Sequence, residues 1–172
     1  MAFSLFFTYA NTENDKAHFK SLSKHINPFV VKSKSGELLD CENEDLLEIH
    51  AENAHVIVVL LSSDYLEYDN HPKRKRLHNK ISTFISDPSK FIITVETEDC
   101  LWQFDPSLIG LEPHKLQKTS GSDFDYMPVV RKIIDEINDR KPKVLFEKML
   151  QKGLYSLNFE EQRTAFNAHF KE

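Results

Sequence analysis

The residues best placed for chemistry follow the most apolar segment of the chain. The run His55 to Leu61 leads directly into the polar turn Ser62-Ser63-Asp64-Tyr65. Two further polar turns follow apolar runs, at Thr8 to Asn11 and at Glu96 to Glu98. Hydroxyl and carboxylate side chains in such turns can bind a polar ligand, act as nucleophiles or hold a cation. Each of these chemistries requires further residues at a suitable spacing.

The sequence does not contain the motifs that serine hydrolases, nucleotide-binding sites or metal sites require. No GxSxG elbow surrounds Ser62 or Ser63, so nothing indicates Ser-His-Asp catalysis. The chain has four glycines, and none forms GxGxxG or GxxxxGK, so neither a dinucleotide cradle nor a P-loop is predicted. Several histidines share no metal-ligand spacing, and we expect most of them at the surface: His18, His25, His50, His71 and His78. We predict no metal site.

A phosphorylated receiver domain is one alternative for the polar turns. Asp64, Thr97 and Lys118 could serve as its aspartate, threonine and lysine. A receiver also needs an acidic pair at the end of the first strand to hold magnesium, whereas this chain has Tyr9-Ala10-Asn11 there. The sequence therefore disfavours this alternative.

The elements that must position these turns alternate between strands and helices. Period and composition predict five strands: Phe3 to Tyr9, Phe29 to Ser33, His55 to Leu61, Lys90 to Glu96 and Lys115 to Thr119. Apolar residues at helical spacing lie between them, and Asn27-Pro28 and Asp87-Pro88 end two of these helices. Such alternation predicts a flavodoxin-like three-layer α/β sandwich with a five-stranded parallel sheet. Ligands of such sheets bind beyond the carboxyl ends of the strands, where the polar turns lie.

The last part of the chain differs from this unit. We predict a domain over residues 1–140 and a helical tail over residues 141–172, starting at Lys141-Pro142. One tail helix should end near Gly153, and Asn158 with Glu161 forms a capping box for a second. That second helix carries three aromatic side chains: Phe159, Phe166 and Phe170. Two such helices cannot bury themselves alone, so they must pack on the domain, on another copy or on a partner.

Composition and charge narrow the class of protein. The chain of 172 residues is 40% hydrophobic and has 13 Phe, which is ample for a packed core. No stretch approaches the roughly 18 apolar residues of a membrane span, and we expect a cytoplasmic protein. The net charge of −5 argues against direct nucleic-acid binding, despite the cations from Lys73 to Arg76. Cys41 and Cys100 indicate neither a disulfide framework nor a zinc site.

Three segments resemble the TIR domain family over about residues 3 to 139. "LFFTYANTEND" is similar to the family's first box, an apolar strand followed by a Ser- and Tyr-containing element and an acid. "VIVVLLSSDYLEYD" resembles its "LLSPDYLxS" segment, with Ser63 and Tyr68 as departures, and "CLW" loosely matches its third box. The resemblance implies a pocket mouth formed by Tyr9, Ala10, Asn11, Ser62 and Tyr65, with NAD as substrate or ligand.

Catalytic members of this family cleave nicotinamide from NAD with a glutamate on the third helix. In that register the glutamate position holds Arg74, and no glutamate occurs from Tyr68 to Lys90. A guanidinium beside a developing oxocarbenium ion would oppose its charge, so the resemblance implies impaired catalysis. Glu67 is the nearest substitute, although an exposed turn residue is the simpler interpretation.

Two regions are candidates for assembly. The loop Ser35 to Glu42 matches the family's BB loop, and Gly36, Leu38 and Leu39 would form an interface there or pack against the edge of the sheet. The segment "LYSLNFEEQRTAFNAHF" resembles an element that lies beside effector domains in bacterial conflict systems, often next to a STAND-type NTPase. We expect either TIR-TIR self-association or docking on such a sensor.

Three hypotheses follow from the sequence. The first is a TIR-like assembly module of a prokaryotic immune system, without a catalytic glutamate. The second is an NAD glycohydrolase that becomes active in an oligomer and uses Glu67 or a neighbouring subunit. The third makes the cations from His71 to Lys80 a sensor for anions or nucleotides.

Overall fold

A computed structural model describes residues 3–31, 36–119 and 123–151 of the chain. The strands are β1 (Phe3–Thr8), β2 (Gly36–Leu39), β3 (Val56–Leu61), β4 (Phe91–Glu96), β5 (His114–Lys115), β6 (Gln117–Lys118) and β7 (Phe124–Asp125). The helices are α1 (Glu13–Val31), α2 (Leu47–Asn53), α3 (Ser63–Leu66), α4 (Pro72–Phe84) and α5 (Met127–Gln151). None of the helices in these ranges is both long and apolar enough to cross a membrane.

The main sheet is parallel, with five strands in the order β2-β1-β3-β4-β5. Every residue of β1 and β3 is buried, because both strands have a neighbour on each side and helices on both faces. This order is that of the flavodoxin-like fold, so the predicted fold class is confirmed. The carboxyl ends of β1 and β3 lie side by side at the point where the strand order reverses.

The predicted second strand, Phe29 to Ser33, is wrong. Helix α1 continues through Pro28 to Val31, and the strand next to β1 begins at Gly36 instead. Leu22, Ile26 and Val30 follow one another at four-residue intervals and are all fully buried. Pro28 removes one intrahelical hydrogen bond, but continued burial of this apolar stripe offsets the loss.

Two other boundaries differ from the prediction. The fifth strand, expected over Lys115 to Thr119, is divided: β5 pairs with β4, whereas β6 pairs antiparallel with β7 in a small second sheet. Leu116 is buried between β5 and β6, where the chain leaves the main sheet. Helix α5 includes Pro142 and reaches Gln151, so the backbone is helical on both sides of the expected domain boundary. The division into domain and tail stays a prediction.

The two assembly regions have different outcomes. Gly36, Leu38 and Leu39 belong to edge strand β2 rather than to a loop, and both leucines are half-buried against the core. They therefore pack on the edge of the sheet, which was one of the two expected alternatives. Their role in an interface stays a prediction. Phe159, Phe166 and Phe170 lie outside the described residues.

Glycine is required at position 36 because the backbone of β2 lies very close to the backbone of α1 there. A Cβ atom added at this position would lie 2.1 Å from the carbonyl oxygen of Val30, at the end of α1. Backbone atoms cannot yield as the tip of a flexible side chain can, so any larger residue must displace β2 from α1.

We predict that Gly36→Ala lowers the free energy of unfolding by about 1 to 3 kcal/mol, because the added methyl group collides with Val30. Urea unfolding followed by circular dichroism measures the change. Glu42→Ala, which alters an exposed side chain just beyond the same strand, is the matched control and should be near neutral. Equal stability of the two variants would contradict the packing of β2 on α1.

Candidate functional site

A cleft of about 280 Å³ opens at the carboxyl ends of β1 and β3. It lies at the place where ligands of parallel sheets bind. Residues from both strand ends, the α2 approach, α3 and α4 line it: Thr8, Ala10, Asn11, Thr12, Glu44, Asp64, Tyr65, Glu67, Tyr68, His71, Arg74 and Leu77. The cleft therefore includes three of the five predicted pocket residues, and the other two, Tyr9 and Ser62, are buried beneath it.

A buried carboxylate, Asp15, holds the floor of the cleft together. Its Oδ2 atom accepts hydrogen bonds from the Ala10 backbone N–H (3.1 Å) and from the Ser62 hydroxyl (2.7 Å). Ala10 follows β1 and Ser62 follows β3, so one side chain of α1 joins the ends of two neighbouring strands. The Asp15 side chain is fully buried, and its second oxygen, Oδ1, has no hydrogen-bond partner.

The position of Asp15 is electrostatically costly. Burial raises the pKa of the Asp15 carboxyl group above its ordinary value of 3.8, and the hydrogen bonds from Ser62 and Ala10 only partly oppose this. The nearby charges of Glu98 and Asp64 raise the pKa further. Sequence analysis missed this role of Asp15, because its contact with Ser62 spans 47 positions of the chain.

Ser62 connects Asp15 to the start of helix α3. Its hydroxyl oxygen accepts a hydrogen bond from the Tyr65 backbone N–H (3.1 Å) and so caps α3. A Glu98 carboxylate oxygen accepts from the Ser63 N–H (2.6 Å) at the same helix start. These contacts fix Tyr65, whose ring is buried at the wall of the cleft. Burial raises the pKa of the Tyr65 hydroxyl well above its usual value.

Arg74 lies inside the cleft, on the first turn of α4. Its Nη1 group donates to the Tyr9 backbone carbonyl, and its Nε atom is 3.6 Å from Oε1 of Glu44. Only 12% of the Arg74 side chain is exposed. The resemblance to the TIR family implied a catalytic acid at this position. The position holds instead the cation Arg74, which donates a hydrogen bond to the backbone at the end of β1.

Carboxylates border the same cleft. The predicted substitute Glu67 lines it and is exposed, and Asp64 lines it from α3. Glu44 was missed by the sequence analysis, because it precedes Arg74 by 30 positions and belongs to no recognised motif. The cleft thus combines one guanidinium with three carboxylates and the rings of two tyrosines, Tyr65 and Tyr68.

A buried polar cluster supports the outer wall. The Tyr68 hydroxyl donates to Oδ2 of Asp105 (3.0 Å), and His78 Nε2 lies 3.0 Å from the same oxygen. The His78 ring also stacks on Tyr68, with 4.0 Å between ring centroids. Burial lowers the pKa of His78 although Asp105 opposes this shift, whereas burial and Asp105 raise the pKa of Tyr68 to about 12.

The expectation that most histidines lie at the surface is wrong for two of them. His78 is buried in the cluster with Asp105, and His18 is buried beside Tyr126, whose hydroxyl is 3.0 Å from His18 Nδ1. Aromatic neighbours surround both rings, and the sequence contained no signal for these long-range contacts. Among the described residues, no group of His, Cys, Asp and Glu side chains could hold a metal ion.

The cations of α4 are neutralised within the chain. Three of them pair with acids on or just before α2 at a constant separation of 28 positions: Lys73 with Asp45, Arg76 with Glu48 and Lys80 with Glu52. Lys75 pairs with Asp69. This ladder of ion pairs fixes the register of two parallel helices, and it argues against the third hypothesis, in which these cations bind an external anion.

The receiver alternative has no support from the geometry. Asp64 lines the cleft, whereas Thr97 and Lys118 line a different cavity, of about 720 Å³, near the ends of β4 and β5. The Thr97 hydroxyl donates to the Leu61 carbonyl (3.0 Å) and is buried. The three residues therefore do not form one site.

Comparisons with known proteins give a likeness to solved structures. Neither a protein-family model nor a curated protein matches this chain. Among solved structures, the chain is similar to the TIR domain heterodimer of RPS4 and RRS1, with 14% sequence identity and a TM-score of 0.49. The alignment covers 81% of this chain and 97% of the other.

Asp15 generates a prediction about stability and pH. Its raised pKa means that, as pH rises from the unfolded value of 3.8, the folded state retains the proton longer than the unfolded state does. Ionisation therefore lowers stability over this range. We predict that Asp15→Asn, which keeps an acceptor oxygen, gains stability relative to the unchanged protein on going from pH 4 to pH 7.

Asp15→Ala is the matched comparison. It leaves the Ala10 N–H and the Ser62 hydroxyl without their acceptor, so it should cost about 1 to 3 kcal/mol at pH 4 and less at pH 7, where ionisation of Asp15 destabilises the unchanged protein. Urea unfolding at each pH measures both variants. If the stability difference between Asp15→Asn and the unchanged protein were the same at pH 4 and pH 7, the assigned ionisation of Asp15 would be wrong.

The ion-pair ladder generates a second prediction. A double-mutant cycle with Glu48→Arg, Arg76→Glu and the charge-swapped double variant should give a favourable coupling of about 0.2 to 1 kcal/mol, since both side chains are partly exposed. The coupling should shrink in high salt. Zero coupling at low salt would show that the Glu48–Arg76 ion pair does not hold α2 and α4 in register.

Proposed function

We propose that this chain is a TIR-like assembly module of a prokaryotic immune signalling system, and that it does not cleave NAD by itself. The carrying observation is Arg74, whose guanidinium lies in the cleft and is bonded to the Tyr9 carbonyl. Support for the TIR-like part comes from the "LFFTYANTEND" and "LLSSDYL" segments, which flank the cleft at the ends of β1 and β3.

The charge of Arg74 is the physical reason for lost catalysis. Cleavage of the nicotinamide bond develops positive charge on the ribose, which an adjacent anion must stabilise. A cation about 4 Å away, at an effective dielectric constant near 20, would raise the barrier by about 4 kcal/mol. That corresponds to roughly a thousandfold loss of rate. Glu44 at 3.6 Å reduces this penalty, but in doing so its own charge is committed to Arg74.

In this proposal the chain acts through contacts with other proteins. Self-association and docking on a STAND-type NTPase are the two expected modes, the second resting on the tail resemblance at Leu154 to Phe170. The predicted cytoplasmic location belongs to the same proposal.

An NAD glycohydrolase is the second candidate function, because carboxylates do border the cleft. Glu67 is exposed at its rim, and Glu44 approaches from the segment before α2. Either could face the ribose if assembly drew Arg74 out of the cleft. This candidate requires an oligomer, whereas the assembly module requires no turnover at any concentration.

Release of nicotinamide decides between the two functions. We predict that the concentrated full-length protein releases no nicotinamide from NAD above the buffer rate, as measured by chromatography, because Arg74 opposes the transition state. The same assay with Glu67→Gln and Glu44→Gln identifies the acid if turnover occurs.

Glu42→Gln, an exposed carboxylate that does not line the cleft, is the control. Turnover that Glu67→Gln or Glu44→Gln abolishes, and that Glu42→Gln retains, would establish the glycohydrolase and contradict the proposal.

A further inference from the structure

The cavity at the carboxyl ends of β4 and β5 is separate from the cleft described above. Its volume is about 720 Å³, and it shares no lining residue with the cleft at β1 and β3. Small-molecule sites in proteins commonly measure about 300 to 1,000 Å³, and in parallel sheets they lie beyond the carboxyl ends of the strands. Size and position therefore suit a small ligand of its own.

The charges that line this cavity balance one another. Two carboxylates, Glu98 and Asp99, and two ammonium groups, Lys115 and Lys118, line it, so their formal charges sum to zero. Asp99 and Lys115 also form an ion pair with each other. A ligand with a net charge of either sign would meet like charges as well as opposite ones. The balance favours an uncharged ligand.

The hydrogen-bonding groups of the lining suit hydroxyl groups. The amides of Asn14 and Gln117 both donate and accept, whereas Lys118 donates and Glu98 accepts. A hydroxyl group also donates and accepts, so a ligand with several hydroxyls can satisfy all of these groups. The ring of Phe124 adds an apolar wall against which the carbon atoms of such a ligand can pack.

A buried histidine behind this wall lacks one hydrogen bond. His18 is 2% exposed, and its Nδ1 atom lies 3.0 Å from the Tyr126 hydroxyl. Its Nε2 atom has no hydrogen-bond partner in the part of the chain that the structure describes. Burial lowers the pKa of His18, which favours the uncharged form of the ring. A buried polar atom without a partner costs stability, so Nε2 points to a polar group that would complete it.

Three residues of the cavity lie around His18. Its ring packs edge-on against Phe124, with 4.7 Å between ring centroids, and the carboxylate of Glu98 is near enough to oppose the lowering of its pKa. Asn14 lies one turn earlier on the same face of α1, and helical side chains lean towards the N-terminus. All three residues line the cavity. A ligand hydroxyl would reach Nε2 once the half-buried Phe124 ring turned aside.

We propose that this cavity binds an uncharged, hydroxyl-rich small molecule, either a saccharide or the sugar of a nucleoside. The amides of Asn14 and Gln117 bind its hydroxyl groups, Phe124 packs against its ring, and one hydroxyl pairs with Nε2 of His18. The inference goes beyond the proposed assembly function and does not depend on it.

Calorimetric titration of the full-length protein tests the site. Glucose and trehalose are the saccharide probes, adenosine is the nucleoside probe, and the phosphate monoesters of the same three compounds are the charged probes. At least one uncharged probe should bind saturably, and the class that binds identifies the source of the sugar. Its phosphate monoester should bind at least tenfold more weakly, because it brings a net charge into a balanced site. The proposal is overturned if no uncharged probe binds, or if the monoester loses less than tenfold.

Two variants locate the binding within the cavity. Gln117→Ala removes a lining amide and His18→Phe keeps a ring against Phe124 without Nε2, so each should weaken binding about tenfold or more. Gln103→Ala is the matched control, because Gln103 is also exposed but does not line the cavity. Thermal unfolding checks that each variant is folded. Binding that is unchanged in Gln117→Ala, or in folded His18→Phe, would contradict the site.

Discussion

The candidate site depends on one buried carboxylate. Asp15 accepts hydrogen bonds from the ends of β1 and β3 at once, and Ser62 passes the constraint on to α3. A neutral acceptor could make the same two bonds without the desolvation cost that raises the pKa of Asp15. An ionisable group at this position therefore lowers stability, and such groups concentrate where a protein carries out its function. The cleft above Asp15 is consistent with that rule.

A second constraint decides what the cleft contains. The position of Arg74 follows from the register of α4 against α2, which the ion pairs at a separation of 28 positions hold. A shift of one residue would rotate α4 by about 100° and remove Arg74 from the Tyr9 carbonyl. Individually these exposed pairs are weak, but they act together with the buried side chains of Leu77 and Ile81. The position of Arg74 in the cleft thus depends on the buried packing of α4, to which the exposed ion pairs add.

Sequence reasoning succeeded where the signal was local. The unbroken apolar run of β3 and the helical period of α4 identified those elements, and the motif register brought Arg74 to the cleft. It failed where tertiary burial outweighed a local rule, as when burial of Val30 carried α1 past Pro28. Asp15 and Glu44 were missed for another reason: each acts on residues 30 or more positions away, and only the strand order brings them together. The matched spacing of the acids before and on α2 with the cations of α4 was, by contrast, readable in the sequence.

The distribution of charge bears on the proposed contacts with other proteins. The cations from Lys73 to Lys80 are paired with acids on or just before α2 and with Asp69 before α4, so they present little unbalanced charge to a distant partner. Electrostatic steering of a distant partner requires unbalanced charge. The paired cations of α4 would therefore contribute little to the rate of association. Residues 101–109, in contrast, are anchored at Asp105 and present Leu101, Phe104 and Ile109 to solvent. Contact through such apolar side chains depends on shape and desolvation at short range rather than on charge. Because Tyr68 is bound to Asp105 and also lines the cleft, this segment is in direct contact with the wall of the cleft.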